Sequence, residues 1–166
     1  MRSRTEEFVK YWDNVRSRTL KVADLVPADK MEWAPTEGAM TFGDLIRHLA
    51  VVEQWMFVEN VFGRPSRYAS HGRELADGRD AVLAFLRDMH AESMRELARL
   101  TDEDLDRQAT TPGGQPLAVW KWLRGMVEHE AHHRGQIYLM LRLCGVATPP
   151  IYGLTSEEVR RRAIVD

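Results

Sequence analysis

Residues 116–144 read PLAVWKWLRGMVEHEAHHRGQIYLMLRLC and contain three of the six histidines of the chain. One stripe, built from steps of three and four residues, carries Met126, His129, His133, Gln136 and Met140. An α-helix of about 3.6 residues per turn places such positions on one face. Pro116 is predicted as the first helical residue and Gly145 as the stop, because these residue types favour those positions. The stretch therefore predicts one long amphipathic helix of roughly 40–45 Å.

Three further segments with helical periodicity precede this one. Their apolar stripes contain Phe8, Trp12, Val15, Val22 and Val26; Leu45, Leu49, Val52 and Met56; and Val82, Leu86, Met89, Leu97 and Leu100. Thr41 is a predicted N-cap with Asp44 three residues on, and Thr155 with Glu158 predicts a short terminal helix in the same way. We therefore expect an all-α four-helix bundle with a short C-terminal helix, as a single domain over residues 1–166. An up-down-up-down order of the helices is preferred.

Composition restricts the classes of function. The chain has 166 residues, 44% of them hydrophobic, with 23 basic and 25 acidic residues in no long block. Nucleic-acid binders usually show a basic stripe, so no nucleic-acid partner is expected. Cys144 is the single cysteine, which fits a reducing compartment. Because neither a signal-peptide pattern nor a membrane span is recognisable, we expect a cytoplasmic protein without a membrane partner.

The histidines of the long helix indicate a metal site. His129 and His133 are four residues apart, so two imidazoles share one face and can bind one divalent ion. His48 lies on the apolar stripe of the second helix and is the leading candidate for a third ligand. His132, three residues after His129, offers an alternative pair but lies off the Met126/Met140 stripe. The two remaining histidines, His71 and His90, have no supporting pattern and are interpreted as surface residues.

Two other metal chemistries have partial matches. His129, Glu130 and His133 fit H-E-x-x-H, the zincin motif in which the glutamate is a general base. The extended metzincin pattern is missing after His133, and a downstream carboxylate ligand would have to be Glu157 or Glu158. Glu130 is better explained as a solvated helix carboxylate; the alternative is a base beside a metal-bound water in a fold other than a zincin. A di-iron bundle would need two Glu-x-x-His motifs, and only the one at Glu130 is present.

Three pieces of the sequence together carry a family resemblance. They are Trp33-Ala34-Pro35 followed by residues 41–49 (TFGDLIRHL), residues 129–136 (HEAHHRGQ), and residues 149–153 (PPIYG). With these motifs the chain resembles the DinB/YfiT-like superfamily of four-helix-bundle metal-dependent enzymes. The resemblance implies a metal triad of His48, His129 and His133 with water completing the coordination. It also implies zinc or nickel as the metal and a homodimeric assembly.

The function follows as an expectation in two parts. Relatives that the resemblance suggests include thiol S-transferases with bacillithiol-type cofactors and mycothiol-dependent maleylpyruvate isomerases. Three imidazoles leave an open ligand position, which permits activation of water or of a thiol, so a hydrolase or a low-molecular-weight thiol S-transferase acting on a small molecule is expected. Gln136, one turn after His133, is predicted to orient that histidine or a substrate. The alternative is a non-catalytic bundle whose metal is structural or sensed.

Two further expectations concern assembly and pH. The five tryptophans are expected to serve as core and interface anchors, and the homodimer is expected to form through helix faces. Metal affinity is expected to fall below about pH 6.5, the ordinary imidazole pKa, because only neutral imidazole binds a metal. Replacing His48 should weaken metal binding strongly, whereas replacing His132 should change it little.

Overall fold

A computed structural model describes residues 2–163 and shows a helical bundle. Its helices are α1 (Arg4–Ala23), α2 (Phe42–Val52), α3 (Glu59–Val61), α4 (Arg79–Leu97), α5 (Val119–Leu143) and α6 (Ser156–Arg162). A π-helical turn, Glu53–Val58, joins α2 to α3 into one continuous helical segment. Short 3₁₀ turns cover Ala28–Lys30 and Asp104–Asp106. The predicted all-α four-helix bundle with a short C-terminal helix is confirmed.

The helix starts follow from capping chemistry where the sequence supplies it. The Thr41 hydroxyl accepts from the Asp44 N–H at 3.0 Å, and the Asp44 carboxylate accepts from the Thr41 N–H at 3.0 Å. The same reciprocal box starts α6 at Thr155 and Glu158, at 3.2 and 2.6 Å. Each box satisfies two backbone N–H groups that a helix start would otherwise leave unpaired. Both predicted N-caps are therefore found in the structure.

The start of the long helix differs from the prediction by three residues. Instead of beginning at Pro116, α5 begins at Val119, because the two residues before it form an edge of a small sheet. Strand β2 (Leu117–Ala118) pairs antiparallel with β1 (Gln108–Ala109). The Val119 N–H then donates to the Arg107 carbonyl at 2.8 Å. This ladder holds the chain extended up to the first turn of α5.

The arrangement of helices is not the simple sequential one. The main packing contacts join each of α1 and α2 to both α4 and α5. Helices α1 and α2 therefore face each other across the diagonal of the bundle. In an up-down-up-down bundle consecutive helices are neighbours. The order preferred from the sequence is therefore wrong for α1 and α2. The arrangement places α2 beside α5, which brings their histidines together.

A buried polar layer separates two apolar clusters in the core. One cluster includes Val22, Leu49, Leu86 and Ile137; the other includes Trp12, Val58, Leu97 and Met126. On each of the four main helical segments, one buried polar residue lies between the residues of the two clusters: Arg16, Glu53, His90 and Glu130. The Arg16 guanidinium donates to Glu53 at 2.6 Å and lies 3.3 Å from a Glu130 oxygen. Thus each of the four main helical segments contributes one polar side chain to the same layer.

Glu53 is the centre of this layer, and the π-helical turn begins at it. One carboxylate oxygen accepts from the Trp12 indole at 2.7 Å and contacts His90 Nδ1 at 2.8 Å. Burial opposes the charged carboxylate, but Arg16 and the hydrogen bond from His90 outweigh it and lower the pKa of Glu53. Glu53 is therefore an ionised core residue whose charge is neutralised by Arg16.

Within residues 2–163, none of the helices combines the length and the apolar composition needed to cross a bilayer.

Candidate metal centre

Three histidines converge between α2 and α5. His48 comes from α2, and His129 and His133 come from adjacent turns of α5. Each offers one ring nitrogen, and these nitrogens lie within 4.8 Å of one another. The Nε2 atoms of His48 and His129 are 3.0 Å apart, close to the about 3.3 Å that separates two ligands of a tetrahedral ion with bonds of about 2.0–2.1 Å. The geometry and the chemistry of the donors therefore fit one divalent metal ion.

The ring nitrogens directed away from the triad have partners of their own. His48 Nδ1 lies 3.0 Å from the Tyr68 hydroxyl, and His133 Nδ1 lies 2.6 Å from the Gln136 side-chain oxygen. Hydrogen bonds of this kind orient metal-binding histidines and select the tautomer that leaves the other nitrogen free. Gln136 thus contacts the histidine that the sequence assigned to it. Tyr68 was missed, because it lies in a loop with no motif.

His132 lies outside this group. Its side chain is exposed, whereas the three histidines of the triad are half-buried. Its ring centroid is 4.9 Å from that of His133, yet its ring nitrogens do not join the convergent set. This placement agrees with the choice of His129 and His133 as the facing pair.

Burial keeps the triad neutral. Burial, followed by the charges of His133 and His71, lowers the pKa of His48 to about 4. Burial and the neighbouring histidines lower the pKa of His129 to about 3, and burial also lowers the pKa of His133. Because neutral imidazole has a free nitrogen lone pair, these side chains are ready to accept a cation at pH 7. Proton competition for the metal therefore begins well below the pH of about 6.5 inferred from the sequence.

A pH-dependent stability of the metal-free protein follows from these pKa values. Between about pH 6.5 and 4 the unfolded chain binds protons at His48 and His129 that the folded chain does not bind. The free energy of unfolding should therefore decrease as the pH falls through this range. Urea unfolding of metal-free protein at pH 7 and pH 5 measures the effect, and His129→Asn should reduce the difference. An equal difference in the wild type and the variant would contradict these pKa values.

Glu130 is not the solvated carboxylate expected from the sequence. It is 1% exposed, and its contact with Arg16 directs it toward α1, whereas His129 and His133 face α2. Burial raises the pKa of Glu130. Arg134 is also buried and donates to the Val15 carbonyl at 3.3 Å. The side chains of the H-E-x-x-H motif therefore lie in two different environments. This disfavours the zincin interpretation, in which Glu130 is a base beside the metal.

The interpretation of His90 as a surface residue is wrong. His90 is 7% exposed and contacts Glu53 in the polar layer. It lies four residues after Leu86 and seven before Leu97, so the apolar stripe of its helix contained the signal for its burial. His71 is half-buried, and its Nδ1 lies 2.9 Å from the Tyr68 hydroxyl. Its loop position gave no periodicity from which this contact could be inferred.

An apolar cavity lies beside Gln136, the residue that contacts His133. It has a volume of about 360 Å³ and is lined by Leu45, Gln136, Met140 and the two leucines Leu139 and Leu143, among others. Gln136 forms a wall of this cavity and also contacts His133. The cavity therefore gives space for a small molecule next to the side chain that contacts His133.

Most of the sequence matches one protein family. Residues 11–137 match the sequence model of the DinB superfamily. This match covers most of α1, all of α2 and α4, and most of α5, including the histidine triad. The chain belongs to the DinB superfamily.

Individual relatives extend the comparison. The chain is 25% identical over 153 residues to the uncharacterized protein YjoA of Bacillus subtilis (strain 168), covering 89% of this chain and 96% of YjoA. The structure of YfiT from Bacillus subtilis, described as a probable metal-dependent hydrolase with an unusual four-helix bundle topology, matches with a TM-score of 0.69 at 16% identity. That match covers 89% of this chain and 92% of YfiT.

A thiol-dependent enzyme has the same fold. The mycothiol-dependent maleylpyruvate isomerase matches with a TM-score of 0.55 at 17% identity, over 82% of this chain and 63% of the isomerase. At these identities the structural matches establish the shared fold.

Proposed function

We propose that this protein is a metal-dependent enzyme whose divalent ion, zinc or nickel, is held by His48, His129 and His133. The observation that carries the proposal is the convergence of three neutral imidazoles from two helices, with nitrogens within 4.8 Å of one another. A divalent ion bound by three histidines would supply Lewis-acid activation of a water or thiol nucleophile. Gln136 orients His133 at one edge, and the neighbouring cavity receives the apolar part of a small-molecule substrate.

Two reaction types remain as proposals of equal chemical standing. Hydrolysis is supported by the fold shared with YfiT, and thiol S-transfer by the fold shared with the mycothiol-dependent isomerase. In both, the half-buried triad limits access of bulk water to the reacting groups, which strengthens electrostatic interactions there. A low-molecular-weight thiol would be the cosubstrate in the second case.

A paired assay tests this function. Zinc- and nickel-loaded protein is supplied with chromogenic esters and, separately, with low-molecular-weight thiols plus electrophilic acceptors. We expect metal-dependent turnover in one series, lost in His129→Ala and kept in His132→Ala, which replaces an exposed histidine of the same helix. Tight metal binding without turnover in both series would favour a structural or sensory metal instead.

We further propose a homodimer formed through α5. Four of the five tryptophans are buried or half-buried, and Trp120 is 39% exposed, so tryptophans alone provide little interface. Leu139 and Leu143 lie one turn apart on α5 and are 59% and 61% exposed. Both also line the apolar cavity, so a partner packed on them would close its outer side.

Sedimentation velocity tests the dimer. The wild type should sediment as a dimer at micromolar concentration, and Leu143→Glu should shift it to monomer, because a buried unpaired carboxylate opposes association. Leu154→Glu, at an exposed leucine outside α5, is the matched control and should leave the dimer intact. A monomeric wild type at high micromolar concentration would contradict the proposal.

A further inference from the structure

The loop between α3 and α4 places a tyrosine and a histidine behind His48. The Tyr68 hydroxyl lies 3.0 Å from His48 Nδ1 and 2.9 Å from His71 Nδ1. The opposite nitrogen of the His48 ring, Nε2, faces His129 within the triad. The hydroxyl therefore bridges a triad imidazole to a second imidazole outside the triad.

Backbone anchors on both sides hold this part of the loop. The buried Arg47, adjacent to His48 in α2, donates to the His71 carbonyl at 2.8 Å and to the Ala76 carbonyl at 2.9 Å. On the other side the Trp55 carbonyl, within the π-helical turn, accepts from the Arg67 N–H at 2.8 Å and from the Ser66 hydroxyl at 2.9 Å. Tyr68 and His71 are thus fixed relative to α2 and to the segment that follows it.

The number of hydrogens on each side chain determines which group donates and which accepts in the hydrogen bonds from His48 through Tyr68 to His71. A neutral imidazole carries one N–H, and a phenol carries one O–H that can donate while its oxygen accepts. When His48 uses Nε2 as a ligand, its proton is on Nδ1 and is donated to the Tyr68 oxygen. The Tyr68 hydroxyl then donates its own proton to His71 Nδ1, which must be the unprotonated nitrogen of that ring.

We propose that Tyr68 and His71 are positioning residues for the metal centre. Tyr68 fixes the orientation of the His48 ring and stabilises the tautomer with its proton on Nδ1. His71 acts through Tyr68 by accepting a hydrogen bond from the Tyr68 hydroxyl. The inference rests on the metal binding in the proposed function but does not depend on the reaction catalysed. It assigns a role to two residues of a loop that contains no ligand of the triad.

A double-mutant cycle, with metal affinity as the measured quantity, tests whether His71 acts on His48 through Tyr68. Zinc affinity is measured by competition with a chromophoric chelator for the wild type, Tyr68→Phe, His71→Ala and the double variant. Loss of an outer partner of a metal-binding histidine costs about 10–100-fold in affinity, and we expect this for Tyr68→Phe. His71→Ala should show a smaller loss, and it should add nothing in the Tyr68→Phe background. His71→Asn, whose amide oxygen can take the place of Nδ1, should restore binding.

Controls separate this inference from the proposed function. Absence of zinc binding by the wild type would contradict the proposed function itself. Wild-type binding together with unchanged affinity in Tyr68→Phe, or losses that multiply in the double variant, would overturn the positioning role alone. Tyr138→Phe removes another half-buried tyrosine hydroxyl, one that donates to the Pro149 carbonyl, and should leave affinity unchanged.

A second measurement needs no variant and therefore does not depend on how the variants fold. In zinc-loaded wild-type protein, proton NMR should show a His48 Nδ1–H signal that exchanges slowly with solvent and has a nuclear Overhauser contact to the Tyr68 ring. A rapidly exchanging signal without that contact would overturn the proposal.

Discussion

The Glu53→Ala variant is expected to lose about 3–5 kcal/mol of unfolding free energy, the cost of removing one partner from a buried ion pair. The substitution leaves the fully buried Arg16 guanidinium without its 2.6 Å carboxylate partner. It also removes the acceptor of the Trp12 indole and the contact of His90. Because small domains are stable by only about 5–15 kcal/mol, this loss is a large part of the total.

A matched glutamate shows whether burial is the cause. Glu128 on α5 forms an exposed pair with Arg124 at 3.3 Å, and such pairs contribute about 0–1 kcal/mol. Urea unfolding of Glu53→Ala, Glu128→Ala and the wild type at pH 7 measures both effects. If the two variants lose similar amounts, the buried polar layer does not have the energetic role assigned to it.

Alanine at His129 is expected to weaken zinc binding by more than about 100-fold, since loss of a ligand should exceed the about 10–100-fold cost of losing an outer partner. The three imidazole rings form a nearly equilateral triangle, because the ring centroid of His129 is 5.0 Å from that of His48 and 4.5 Å from that of His133, and the last two are 4.8 Å apart. Its removal leaves two imidazoles on different helices. Chelator competition, with elemental analysis after dialysis, measures the loss.

His132→Ala is the control for this substitution. It removes an exposed imidazole from the same helix, three residues away, and should retain wild-type affinity. Loss of the metal in His132→Ala together with retention in His129→Ala would show that the other face of α5 binds the ion.

The elements that could be predicted from the sequence are those governed by local rules. The cap at Thr41 and the periodic stripe of α5 depend on residues within a few positions of one another. His129 and His133 share a face for the same reason. Their approach to His48 depends on tertiary packing, and there the family resemblance supplied what periodicity could not.

Other features depended on interactions between distant parts of the chain. Glu130 is buried beside Arg16, which lies on another helix far away in the sequence. The π-helical turn at Glu53–Val58 has no signature in its residue types, and the diagonal placement of α1 and α2 arises from packing. Tyr68 contacts His48 from a loop that Arg47 and the Trp55 carbonyl hold by hydrogen bonds.

X-ray absorption spectroscopy of the zinc-loaded protein tests directly whether three histidines bind the metal. The proposed centre predicts one zinc per chain with three imidazole ligands at about 2.0–2.1 Å. The same spectrum of His48→Ala should show two imidazoles on any zinc that is retained. A wild-type spectrum with two or fewer imidazoles, or with sulfur ligation from Cys144, would contradict a metal centre built from His48, His129 and His133.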